Sequence, residues 1–336
     1  MSKKVRWGIL SPAAIGMKKV IPAMQLGELC EISAIASRDL GRAQAAAQQL
    51  GIPKAYGSYE ALLADADIDA IYNPLPNDLH VPWSIKAAEA GKHVLCEKPI
   101  ALTVEETKLL IAARDRTGVK MGEAFMVRTH PQWLLARQFV QGGTLGRITS
   151  IAGFFSYFNR DPKNIRNSTA QGGGALMDIG CYPITQTRFL LGEEPVEVIG
   201  MMDRDPDFGT DRCTSAMMRF PSAQATFTCG TQVAPYQKML VFGAEARLEI
   251  QIPFNAPPGH ACKLFFDDGK DLQGANAVMH LSEPCDQYTI QGDHFSRAIL
   301  ENKEVAVPLE DALRNMAVLE AIFRSTETGR WEKPAH

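Results

Sequence analysis

Alternation of short apolar runs with helix-patterned stretches across the first 123 residues restricts the fold more than any other feature of this chain. Val5–Leu10, Glu31–Ala36, Ala70–Asn73, His93–Glu97 and Lys120–Ala124 read as short buried strands. Between them lie Ala- and Leu-rich segments, Gly41–Leu50, Tyr59–Ala64, Val81–Ala90 and Val104–Thr117. Strands separated by helices predict βαβ units and a parallel sheet. Gly51, Gly91 and Gly118 each follow a helical stretch, where a left-handed C-terminal cap is common.

Beyond about residue 146 the period changes. Arg147–Phe158, Val196–Asp203, Thr214–Phe220, Ala223–Gly230, Lys238–Phe242, Ala246–Ile252 and Lys263–Asp267 read as strands. Several alternate apolar with polar residues, as in Ala225-Thr226-Phe227-Thr228-Cys229. Period two predicts a mostly antiparallel sheet with one well-packed face. The helices expected to cover it are Trp133–Gln141, Ala175–Leu191, Tyr288–Glu301 and Leu309–Thr328. A length of 336 residues also suggests two domains. The boundary is placed between 1–123 and 124–336.

Composition excludes several classes of function. A net charge of −3 gives no electrostatic reason to expect nucleic acid. No apolar run is long enough to span a membrane. Met1-Ser2-Lys3-Lys4 leads directly into a strand, without the apolar stretch of a secretory signal. Seven cysteines lack C-x-x-C spacing, so neither a disulfide framework nor a zinc site is expected. The histidines form no H-E-x-x-H or other ligand pattern, so no metal is expected either. Reduced thiols fit a cytoplasmic protein.

The first strand runs into Gly8-Ile9-Leu10-Ser11-Pro12-Ala13-Ala14-Ile15-Gly16. A G-x-G-x-x-G turn lets backbone approach a pyrophosphate and opens a helix towards the phosphates. Aligned here it falls on Ser11, Ala13 and Gly16, with two glycines replaced by small residues. The pattern alone is weak; its place after the first strand of a βαβ unit strengthens it. Ser11, Ala13, Ala14, Ile15 and Gly16 are the expected phosphate-facing loop of a Rossmann domain. An NAD site usually carries Asp or Glu after the second strand. Here the strand ends Ala36-Ser37-Arg38, with Arg42 one turn further. A hydroxyl and guanidinium suit a 2′-phosphate, so NADP is expected ahead of NAD. The neighbouring Asp39 keeps NAD open. The fold class expected is α/β: an N-terminal Rossmann domain with a parallel sheet, then a C-terminal α+β domain with a large, mostly antiparallel open sheet.

Two further segments carry candidate chemistry. Cys96-Glu97-Lys98-Pro99 puts Lys98 at the carboxyl end of a parallel strand, beside the crevice where such sheets bind ligands. Gly172-Gly173-Gly174-Ala175-Leu176-Met177-Asp178-Ile179-Gly180-Cys181-Tyr182-Pro183 spaces Asp178 and Tyr182 four apart, on one face of a helix. Taken singly, each is an ordinary surface or packing feature. Together, the E-K-P and G-G-G-x-x-x-D-x-G stretches resemble the Gfo/Idh/MocA family. Further likeness lies in Val5–Gly16, Tyr72–His80, Gly122–Gln132, Gly192-Glu193-Glu194-Pro195 and Asn315–Gly329. Many members carry His where this chain has Tyr182. That places it nearer the branch with glucose–fructose oxidoreductase, aldose dehydrogenases and dihydrodiol dehydrogenases.

The resemblance implies that Lys98, Asp178 and Tyr182 form the catalytic group. It implies that Pro74, Asn77 and His80 border the nicotinamide end, with Glu97 and Lys98 also at the cofactor. Arg128, His130, Phe155, Asn159 and Arg166 are the looser candidates for the substrate pocket. A free phenol, with a pKa of about 10, is a poor base near neutrality, and a neighbouring ammonium favours its anion. Tyr182 is thus the expected acid/base, Lys98 its electrostatic partner and Asp178 the orienter of substrate hydroxyls. Lys98 donating directly to the reacting oxygen fits equally. The expected function is NADP-dependent oxidation of an aldose or polyol, for example at C1 to a lactone. A ketosugar reductase, a trans-dihydrodiol dehydrogenase and a non-enzymatic dinucleotide-sensing regulator are the alternatives. The open sheet also predicts a homodimer or dimer of dimers.

Overall fold

A computed structural model describes residues 3–335. In chain order the elements are β1 (Val5–Leu10), α1 (Ile21–Gln25), β2 (Cys30–Ala36), α2 (Leu40–Leu50), β3 (Lys54–Tyr56), α3 (Tyr59–Leu63), β4 (Ala70–Asn73), α4 (His80–Glu89), β5 (His93–Cys96), α5 (Val104–Thr117) and β6 (Met121–Glu123). There follow α6 (Pro131–Gln141), β7 (Ile148–Phe158), α7 (Cys181–Leu191), β8 (Glu197–Arg204), β9 (Asp211–Arg219), β10 (Gln224–Gly230), β11 (Gln232–Gly243), β12 (Arg247–Ile250), β13 (Lys263–Asp267), β14 (Val278–Leu281), α8 (Gln287–Leu300) and α9 (Leu309–Thr328). Single π-helical turns, Gly16–Val20 and Leu176–Gly180, lead into α1 and α7.

The first compact unit takes the chain through Thr129 together with Asp286–Leu313. Its six strands run in the order β3-β2-β1-β4-β5-β6, every pair parallel. That is the Rossmann arrangement, with the order reversing between β1 and β4. The strands are apolar nearly throughout because both faces are covered: Trp7, Ile9, Leu10, Ile35 and Ile71 are fully buried. Side-chain caps start the helices: Asp39, Ser58 and Thr103 accept backbone N–H groups of Arg42, Ala61 and Glu106. Gly51 and Gly118 end α2 and α5 at φ +65° and +71°.

The domain boundary read from the sequence differs from this division. Helix α8 was grouped with 124–336, yet it packs in the first unit. Trp7 Nε1 donates to Ser296 Oγ at 3.1 Å, and the rings of Trp7 and Phe295 lie 5.6 Å apart. The Asp293 carboxylate accepts the backbone N–H groups of Glu28 and Leu29. Periodicity identifies a helix with one apolar face but not which sheet that face covers.

The second unit comprises His130–Cys285 and the residues from Arg314 onward. Its eight strands run β14-β13-β12-β11-β7-β10-β9-β8, antiparallel except for β7 beside β10. Ile151, Phe155, Met218, Phe227, Met239, Val241 and Leu248 point to a buried face. Helix α6 covers part of it, with Phe139 stacked 5.6 Å from Phe266. Gly153 meets Pro183 of α7, and Gly200 meets Ile322 of α9. Phe158, Met201, Met217 and Tyr236 are exposed. Strands β3 and β14 were not expected from the sequence: β3 is only half-buried and β14 is mostly exposed, so neither carries a buried apolar run. Strand β11 begins earlier than expected; Pro235 lies within a register shift between Gln232 and Tyr236, where a strand tolerates proline.

Candidate active site

In the first unit the chain leaves β1 through Ser11, whose φ is +83°, and the Ser11 N–H bonds Ala36 O at 2.9 Å. Ala13, Ala14 and Ile15 are small or half-exposed, and Gly16 is buried near the Tyr72 ring. The helical run starts at Ala14, and the Met17 N–H bonds Ala13 O at 2.9 Å. Small side chains ahead of a helix start fit the phosphates of a dinucleotide, whose oxygens would accept N–H groups of the first turn. At the end of β2, Ser37 is buried and its Oγ accepts the Asp39 N–H at 3.3 Å. The Asp39 carboxylate is engaged as the cap of α2. Arg38 and Arg42 are exposed. The cations predicted to read a 2′-phosphate therefore face solvent, and the nearby carboxylate has a structural task.

Lys98 stands in a segment tied down on both sides. The Glu97 N–H bonds Asn73 O at 3.0 Å. The Glu97 carboxylate accepts the buried Tyr72 hydroxyl at 2.6 Å, and burial, then this carboxylate, push the Tyr72 pKa well up. The Ile100 N–H bonds Glu123 Oε1 at 2.8 Å. His80 joins the loops after β4 and β5: Nδ1 lies 2.8 Å from Pro99 O and Nε2 2.7 Å from Leu75 O. Burial pulls its pKa down to about 4 against the pull of those carbonyls. A neutral ring donates to one of them at a time. His80, predicted to border the nicotinamide, is only 1% exposed and acts as a clamp. Asn73 completes the loop, donating to His80 O and Ser84 Oγ, each at 3.1 Å. Pro74 is buried, and Asn77 opens a 3₁₀ turn over Asn77–Leu79.

In the second unit the glycines of the G-G-G motif serve close approach. A Cβ on Gly173 would stand 2.5 Å from Arg166 O, and Gly174 turns at φ +117°. The helical run then carries Asp178 and Tyr182. Asp178 Oδ2 accepts the Tyr157 hydroxyl at 2.6 Å and Arg166 Nε–H at 2.8 Å. Burial, then the adjacent carboxylate, raise the Tyr157 pKa, so this phenol is a donor. The carboxylate in turn raises the pKa of Arg166. Tyr182 is 5% exposed within an aromatic cluster. Phe155 meets it edge-on at 5.6 Å, and Phe254 lies 5.4 Å away and stacks on Phe155. Trp133 backs Phe254 at 6.3 Å and donates its indole N–H to Pro253 O at 2.7 Å. A phenol in apolar surroundings resists ionisation unless a cation supports its anion.

The looser candidates separate. Phe155 and Arg166 touch Tyr182 and Asp178 respectively. Asn159 shapes the loop that presents Arg166: its Oδ1 accepts the Asp161 N–H at 2.9 Å. Arg128 instead forms an ion pair with Asp311 at 2.8 Å inside the first unit. His130 is the buried cap of α6, with Nδ1 accepting the Gln132 N–H at 3.1 Å. These two side chains are committed to structural contacts. Tyr157, Tyr72, Asn73, Glu123 and Phe254 were not singled out from sequence. All but Asn73 owe their place to contacts that span many residues; the Tyr157–Asp178 bond spans 21.

Fold and residues together define a nucleotide-dependent oxidoreductase, and comparison with known proteins agrees. The model of the oxidoreductase family with an NAD-binding Rossmann fold matches residues 5–125, and that of the GFO/IDH/MocA C-terminal domain matches residues 133–249. The chain belongs to the Gfo/Idh/MocA family of oxidoreductases. D-xylose 1-dehydrogenase (NADP(+)) 2 of Haloferax volcanii is 39% identical over 96% of this chain and 98% of its own length. A crystal structure of an aldose-aldose oxidoreductase from Caulobacter crescentus, complexed with glycerol, aligns with a TM-score of 0.91 at 29% identity. That alignment covers 98% of this chain and 100% of the other. A 3-ketoreductase from Actinomadura kijaniata, solved with NADP and TDP-benzene, aligns with a TM-score of 0.90 at 29% identity, covering 96% and 98%.

Proposed function

We propose that this oxidoreductase is NADP-dependent and oxidises a sugar or polyol hydroxyl, for example aldose C1 to a lactone. The observation that carries the reading is Asp178 held by Tyr157 and Arg166 one helical turn from Tyr182. Ser11, Ala13, Ala14, Ile15 and Gly16 would hold the pyrophosphate. Arg38 and Arg42 would meet the 2′-phosphate, supported by the engagement of Asp39 in a cap. Bound nicotinamide supplies the hydride acceptor.

The protein groups handle the proton and the orientation. Tyr182 accepts the proton of the reacting hydroxyl. Lys98 is assigned to the same proton step, since an ammonium can favour a phenolate that apolar surroundings oppose. Asp178, with two donors on its Oδ2, is an anion that accepts a hydrogen bond from a neighbouring substrate hydroxyl. The pairing suits a polyhydroxylated substrate: one hydroxyl reacts while another is held. The same steps reversed serve a ketosugar reductase, which the likeness to a 3-ketoreductase favours as the second reading. Retention of Lys98, Asp178 and Tyr182 argues against a purely sensing role. The enzyme would work in the cytoplasm as a homodimer or dimer of dimers, burying the exposed face around Met201 and Met217.

A screen of aldoses, polyols, ketosugars and trans-diols, following NADPH absorbance in both directions, tests this reading. Turnover of an aldose or polyol with NADP is the expected result. Turnover of a trans-diol alone, or cofactor binding with no turnover, would overturn it.

A further inference from the structure

The helical run bearing Asp178 and Tyr182 begins without a cap of its own. Gly174 precedes it and has no side chain, and no side chain within the run bonds its first turn. The acceptor comes from another element. Asp211, the first residue of β9, is 1% exposed. Its Oδ2 accepts the Leu176 N–H at 2.7 Å and the Thr214 hydroxyl at 2.7 Å. Any side chain at 174 would overlap the Asp211 carboxylate, so glycine there admits the anchor.

Leu176 is also the first residue of the π-helical turn, Leu176–Gly180, that separates the anchor from α7. A π turn holds one residue more than an α turn and recurs at functional sites. Relaxing it to α geometry would turn the residues on its two sides against each other by up to about 100°, one residue's share of a turn, and Asp178 lies inside it. The far end of this turn is held as well: a Cβ at Gly180 would come within 3.0 Å of Cys229 Sγ. Burying a carboxylate is costly, and burial pushes the Asp211 pKa up. A carboxylate in this place has a reason beyond filling space.

We propose that Asp211 is a positioning residue. It pins Leu176 so that the π turn presents Asp178 to Tyr157 and Arg166 and leaves Tyr182 in its aromatic cluster. The proposal rests on the reading of Asp178 and Tyr182 as the catalytic pair, and Asp211 itself touches no reacting atom.

The test uses the full chain with Asp211→Ala, Asp211→Asn and Thr214→Val. Asp211→Ala removes the acceptor and should lower kcat roughly tenfold or more, leaving the Kd for NADP unchanged. Asp211→Asn keeps an acceptor oxygen for Leu176 and should recover most of that loss. Thr214→Val frees the carboxylate from its second donor and should lower kcat by about threefold or more; it carries the test if Asp211→Ala does not fold. Deuterium exchange over residues 174–182, which needs no turnover, should quicken in both Asp211→Ala and Thr214→Val. A kcat within twofold of wild type in a folded Asp211→Ala or in Thr214→Val, or unchanged exchange in those variants, overturns the anchor. Wild type that turns over no sugar overturns the catalytic reading instead, and the exchange experiment still decides the anchor.

Discussion

Tyr157 donates its hydroxyl to the Asp178 carboxylate at 2.6 Å, and Arg166 Nε meets the same oxygen at 2.8 Å. Both donors favour the charged form of Asp178. Removing one by Tyr157→Phe leaves the ring in place and takes away only the hydrogen bond. A hydrogen bond to a charged group contributes about 1.5–3 kcal/mol, so kcat/KM at neutral pH should fall roughly tenfold or more. A kcat/KM within twofold of wild type would show that this bond does not tune the site.

Arg38→Ala should weaken NADP binding about 10–100-fold, the range of a charge-assisted bond to phosphate, and leave NAD binding nearly unchanged. Titration of both cofactors into wild type and variant checks this. Equal affinity of the wild type for NAD and NADP would contradict it.

Much of the first unit was legible because its strands are buried on both faces and its helices end at glycines. Gly51 and Gly118 do take positive φ. The placement of α8 was not legible: its partner Trp7 lies 289 residues away from Ser296, and no local pattern reports that distance. The site divided in the same way. Lys98, Asp178 and Tyr182 stand in short motifs with fixed spacing. Tyr157 is an ordinary residue of an alternating strand until the loop at 159–167 returns Arg166 beside it. Asp211 bonds a residue 35 positions earlier. Arg128 and His130 were candidates through the family resemblance, and their side chains contact Asp311 and the Gln132 N–H.

Stability should fall as pH drops from about 6.5 towards 4. Burial holds His130 at a pKa of about 4, and burial likewise lowers His80 to about 4. Between those values the unfolded chain binds protons that the folded chain refuses, so the native state loses ground as pH falls. Protonating His130 also removes the acceptor that caps α6. His130→Asn supplies a cap that does not titrate and should flatten the dependence of Tm on pH. An identical slope in the variant would show that His130 carries none of it.

Association should depend on the open face of the eight-stranded sheet. A hollow of about 430 Å³ there is bordered by Ile199, Met201, Ser215, Met217, Thr226 and Thr228. Met201 is 75% exposed and Met217 46%. Sedimentation equilibrium at micromolar concentration should show a dimer or tetramer, and Met201→Lys with Met217→Glu should shift it towards the chain mass of 36.8 kDa. Wild type sedimenting as a single species at that mass would contradict the proposal.

In the proposed mechanism Tyr182 moves the hydroxyl proton during NADP-dependent oxidation of a sugar or polyol. Its most direct test is the turnover of Tyr182→Phe on the best substrate, measured beside the NADP affinity of the same preparation. The ring keeps its contacts with Phe155 and Phe254 and only the hydroxyl is lost. The expected result is a fall in kcat of about 10²–10⁴-fold, the usual contribution of general acid–base catalysis, with NADP affinity unchanged. On the role proposed for Lys98, Lys98→Met should be similarly impaired. Tyr182→Phe turning over at half the wild-type rate or faster would contradict the account.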